Sequence, residues 1–148
     1  MNRVLIASAF VALLAVAAPA AGWAAPTTVN VELVDPTTGA GVSGMNLQSD
    51  HPTVAAGPVR FHVVNKSRSV VHEMIVVAVT NPDEALPYDA NAGRVIEKKI
   101  RHLGEVSDLK PGKSGNLQLT LKPGSYMLIC NQPGHFEAGM KTSLTVTP

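Results

Sequence analysis

The stretch Tyr126–Met140, YMLICNQPGHFEAGM, contains the only cysteine in the chain, followed at even spacing by a histidine and a methionine. An apolar run leads into Cys130, and Asn131, Gln132, Pro133 and Gly134 then turn the chain ahead of His135. Apolar residues ending in such a cluster read as a strand entering a tight loop. Beyond Met140, TSLTVT alternates Leu144 and Val146 onto one side, the period of a second strand. The C-terminal end is therefore expected to be two strands joined by a loop carrying Cys130, His135 and Met140.

The same signals recur upstream. TVNVELV places Val29, Val31 and Leu33 on one face, and PVRFHVVN places Val59, Phe61 and Val63 likewise after Gly57-Pro58. NLQLTL alternates Leu117, Leu119 and Leu121, whereas HEMIVVAV is apolar without a break, as in a strand covered on both faces. Weaker strands are expected around MNLQS and GEVSDL. From Asn81 to Gly104 the pattern changes: Ile96, Ile100 and Leu103 fall at helical spacing, with Pro87 and Gly93 as breakers, and the expectation is a loop carrying a short helix. About seven or eight short strands predict an all-β Greek-key sandwich.

The first residues read as an export signal. MNR is a short positive start, VLIASAFVALLAVAA an apolar run, and APAAGWAAP a small-residue cleavage region, giving a signal peptide over 1–24 and one domain over 25–148. The run is too short and Ala-rich for a span of about 20 apolar residues, so no membrane span is expected after its removal. Removal takes Arg3 and leaves 11 basic against 11 acidic residues, without the basic excess that nucleic acid requires. Export implies a periplasm, where an unpaired thiol is exposed to mixed-disulfide chemistry unless it is buried, ligated or reactive.

Thiolate, imidazole and thioether form a soft donor set suited to copper in both oxidation states. A fourth ligand is expected from a separate, rigid element, and His72, a polar residue at the head of the most apolar strand, is the best candidate. With His72, Asn65 in VVN upstream of it, and KPGSYMLICNQPGHFEAGM, the sequence resembles the cupredoxins, the type 1 copper proteins that include plastocyanin, azurin, rusticyanin and auracyanin. Its Cys-x4-His-x4-Met spacing is similar to the auracyanin and rusticyanin pattern. The resemblance covers Gly57–Pro148 well and the N-terminal strands only in style.

It implies one type 1 copper ion, with His72, Cys130 and His135 in a trigonal plane and Met140 as the long axial ligand. It also implies a buried His72, a His135 whose ring edge lies near the surface, and an apolar surround from Pro133, Phe136 and Met127, although Met127, as part of a strand, is better read as packing. Asn65 would either pin the two ligand loops together or serve as a simple turn residue at a strand end, and Glu73 stands where plastocyanin and azurin carry Asn. The implied function is a monomeric single-electron carrier serving a cytochrome or a terminal copper or haem enzyme, and not an enzyme itself.

The alternative is a periplasmic protein for copper tolerance or delivery, although the chain lacks Met- or His-rich tracts. A third reading makes Cys130 a nucleophile with His135 as its base, but it leaves Met140 without a role. His51 with Met45 is weighed as a second copper site. His62 is read as solvent-facing, and His102 as part of a charged run with Lys98, Lys99 and Arg101.

Overall fold

The computed structural model describes residues 25–39 and 43–148, so the expected signal peptide lies outside the described residues. The alternating segments become strands β1 (Thr27–Val34), β2 (Asn46–Ser49), β3 (Thr53–Ala55), β4 (Gly57–Asn65) and β5 (His72–Val79). They are followed by β6 (Tyr88–Asp89), β7 (Arg94–Val95), β8 (Arg101–Leu109), β9 (Ser114–Leu121), β10 (Gly124–Ile129) and β11 (Lys141–Thr147). One sheet runs in the order β2-β1-β4-β9 and the other β3-β11-β10-β5-β8, with β6 and β7 forming a separate small hairpin. This is a Greek-key β-sandwich.

The core lies between the sheets and follows the period-two pattern. Val29, Val31, Leu33, Val59, Phe61 and Val63 from one sheet meet Met74, Val76, Leu128 and Leu144 from the other. The unbroken apolar run of β5 has the expected cause. Ile75, Val77 and Val79 face outward, where they join Met127, Ile129, Leu86, Val95 and Phe136 in a second buried cluster. The segment between β5 and β8 supplies the cover.

That segment corrects one expectation. The expected short helix is present only as one 3-10 turn, Glu97–Lys99, the β6–β7 hairpin was not expected, and β8 already begins at Arg101. The three apolar residues at helical spacing do not share a face. Ile96 caps the turn, Ile100 packs against the outer cluster, and Leu103 is exposed. Asp89 favours the hairpin by accepting the N–H groups of Asn91 and Ala92, and Gly93 takes up the left-handed φ of 65° that closes it.

Parallel pairing of β1 with β4 sets Leu33 opposite Asn65. The end of β1 is thereby carried to the loop that leads into His72. This register positions the site.

Candidate metal centre

Three elements deliver the predicted residues to one end of the sandwich. His72 opens β5, Cys130 directly follows β10, and Met140 directly precedes β11. The β10–β11 loop closes on itself through backbone hydrogen bonds. Cys130 N–H donates to the Met140 carbonyl and Met140 N–H to the His135 carbonyl, both at 3.0 Å. The His72 and His135 Nδ1 atoms are 3.2 Å apart, and Cys130 Sγ lies 3.4 Å from His135 Nδ1 and 3.9 Å from His72 Nδ1. Met140 is fully buried in the same core cluster as Cys130. The donor atoms of His72, Cys130 and His135 are thus close enough together to hold a metal ion. His72 is wholly buried and His135 only partly, as the resemblance implied.

The chemistry of these donors fits a soft metal ion. Burial pushes the Cys130 thiol up to about 11, against the pull of backbone N–H groups from Glu73 and Gln132. Metal binding must therefore displace a proton from sulfur, and a nucleophilic thiol would need the opposite shift. Burial, followed by repulsion from His72, lowers the His135 pKa and favours the neutral ring that a metal ligand requires. A register irregularity in the β5–β8 ladder between His72 and Met74 accompanies a Glu73 N–H that points at Cys130 Sγ, at 3.5 Å. This donor comes from the backbone, so it does not depend on which side chain stands at position 73. The Glu73 carboxyl is raised by burial, and its Oε1 has no hydrogen-bond partner.

Sequence reasoning missed two residues. Asp35, fully buried one residue past β1, holds His72 Nε2 at 2.9 Å through Oδ2. Thr37 donates its N–H and its hydroxyl to the other oxygen, Oδ1. Burial alone would raise the Asp35 carboxyl, but hydrogen bonds from Thr37, Ser67 and His72 outweigh it and hold it well below the usual carboxylate range. Asp35 looked like an ordinary turn residue before Pro36. The second is Asn131, whose side chain accepts the Val95 N–H at 2.7 Å and donates to the Val95 carbonyl and to Glu97. It clamps the copper loop to the β6–β7 hairpin, and its place beside Cys130 was the only clue.

Of its two readings, Asn65 follows that of a turn residue rather than a pin between the ligand loops. Its side chain donates to the carbonyls of Val70 and Leu109 and accepts from Ser67 N–H, so it shapes the His72 loop and ties it to β8. The Cys130–Met140 loop is instead held by Asn131 and by Gly134 N–H donating to the Gly93 carbonyl at 2.8 Å. A Cβ on Gly93 would lie 3.0 Å from that nitrogen, on a backbone at φ 65°. Gly93→Ala is expected to destabilise the protein by about 1–2 kcal/mol, the penalty of a left-handed alanine. Urea unfolding reads the loss, and faster hydrogen exchange at the Gly134 amide would show that the clamp has loosened.

The expected apolar surround is also revised. Met127 and Phe136 belong to the outer cluster, with Lys141 over the Phe136 ring, and Pro133 is exposed. Backbone alternation along β10 turns Met127 away from Cys130, which lies in the inner core. His51 is bound to Asp50, while Met45 packs against the inner core. His62 is half-buried and bonds to Asn116 across the β4–β9 pair. His102 bridges two carboxylates, with Nδ1 3.8 Å from Glu97 and Nε2 3.5 Å from Glu105.

The sandwich resembles that of the cupredoxins, the fold of the solved structures it matches. Within that class the likeness is to auracyanins and rusticyanins. A 41-residue segment is 54% identical to auracyanin-B of Chloroflexus aurantiacus, spanning 27% of this chain and 17% of that protein. A solved structure of auracyanin B is 26% identical with a TM-score of 0.59, over 84% of this chain and 92% of the other. Rusticyanin from Thiobacillus ferrooxidans is 21% identical with a TM-score of 0.57, over 81% and 76% of the two chains. No protein-family model matches the sequence.

Proposed function

We propose that this chain is a periplasmic electron carrier with one type 1 copper ion, which His72, Cys130, His135 and Met140 would hold. The carrying observation is the convergence of two imidazole nitrogens and a thiol sulfur from two strands and one closed loop. Copper bound there supplies a one-electron couple between Cu(I) and Cu(II).

The chain's own residues keep the donors in place. Asp35 orients His72 from behind, the Glu73 N–H caps the Cys130 sulfur, and the Cys130–Met140 backbone bond fixes both ends of the loop. A cage whose shape is set by the protein changes little with oxidation state, which keeps electron exchange fast. His135, the partly exposed member, offers the route to a redox protein such as a cytochrome or a terminal copper or haem enzyme. A tolerance or delivery protein is the second reading, but donors pinned from behind favour a resident ion over one handed on. Residues 1–24 would direct export and be removed.

The test is titration with one equivalent of Cu(II), followed by voltammetry. An intense visible band and a reversible one-electron wave are expected. A colourless protein would overturn the proposal, and copper that leaves readily to a mild chelator would favour delivery.

A further inference from the structure

We propose that Asp35 is a positioning residue of the metal centre. It holds His72 in the tautomer with a free Nδ1 and places a fixed negative charge behind that ligand, favouring Cu(II) over Cu(I). The inference rests on the copper reading above.

The geometry leaves the carboxylate only one role at each contact. Oδ1 accepts from the Thr37 N–H and hydroxyl, and Oδ2 faces His72 Nε2. Oδ2 is thus an acceptor, Nε2 carries the proton, and the Nδ1 lone pair is left for the metal. Both side chains are fully buried, so water screens the charge little. Asp35 also caps the 3-10 turn Pro36–Thr38, but that contact uses Oδ1 and is separable from the one to His72. An anion beside the site attracts doubly charged copper more than singly charged copper. The electron gained on reduction comes from the redox partner, and the pairing makes that gain less favourable.

The test compares Asp35→Asn with Thr37→Val. Asp35→Asn nearly keeps the shape and removes the charge, its single carbonyl oxygen serving only one of the two contacts. It should retain the visible band while the Cu(II)-to-Cu(I) affinity ratio falls at least about tenfold, raising the potential by about 59 mV for a one-electron couple. Thr37→Val keeps the carboxylate but removes one hydroxyl donor, and should shift the potential the other way. A merely structural role would lower stability in both variants and move neither potential. An unchanged or lowered potential in Asp35→Asn, or an unchanged or raised one in Thr37→Val, would overturn the inference.

In the copper-free protein, nitrogen-15 NMR should find a slowly exchanging proton on His72 Nε2. An unprotonated Nε2 would remove the positioning role. A wild-type chain with no thiolate–copper band sinks the copper reading and this inference with it, whereas a band with unmoved potentials sinks the inference alone.

Discussion

Cys130→Ala is expected to abolish the visible absorption that copper loading should give this protein. The band arises from charge transfer out of the thiolate, and the chain has no other sulfur of that kind because Cys130 is its only cysteine. The neighbouring donors His72 and His135 remain, so the variant can still take up Cu(II), but as a weak, pale complex without the soft ligand that also accommodates Cu(I). Affinity for Cu(I) should fall by several orders of magnitude, which competition with a chromogenic Cu(I) chelator measures. The fold should survive. Removing one buried sulfur and leaving the Glu73 N–H without its acceptor costs about 1–3 kcal/mol. An intense band persisting in the variant would show that the colour comes from elsewhere and would end the assignment of Cys130 as a ligand.

The other large effect is on stability and concerns the metal-free protein. His72→Ala leaves the fully buried Asp35 carboxylate without one of its hydrogen-bond donors. Losing a hydrogen bond to a buried charged group typically costs about 1.5–3 kcal/mol, and deleting the buried ring adds a cavity to that cost. His135→Ala removes a partly exposed ring that leaves no buried charge behind, and should cost about 1 kcal/mol or less. Urea denaturation of the two copper-free variants tests this account. Similar midpoints would show that the Asp35–His72 contact carries little energy. Combining His72→Ala with Asp35→Asn should recover part of the loss, since the two residues are in direct contact and their effects do not add.

Pattern along the chain was enough to place most strands. Burial of Val29, Val31 and Leu33 in β1, and of Val59, Phe61 and Val63 in β4, follows from alternation alone. The unbroken apolar run of β5 announced a cover on its outer face but not what formed it. The region before β8 was misread because its apolar spacing matches a helix, while Asp89 and Gly93 close a hairpin that two-residue strands barely signal. A bulge in the β5–β8 ladder adds to the confusion by leaving Leu103 exposed.

The candidate site divides along the same line. Cys130, His135 and Met140 sit on one short loop, so their convergence is a local property of a segment whose ends are strands. His72 was legible because a histidine at the head of a buried strand breaks an otherwise apolar run. Asp35 was not, because its partner lies 37 residues away and is reached through the parallel β1–β4 register that sets Leu33 opposite Asn65. Asn131 was hidden for the same reason, its partners Val95 and Glu97 being more than 30 residues upstream. Periodicity and loop spacing are written in neighbouring residues and so select strands and a ligand loop. The charge behind His72 and the clamp beside Cys130 arise from non-local pairing, which depends on how whole strands register against one another.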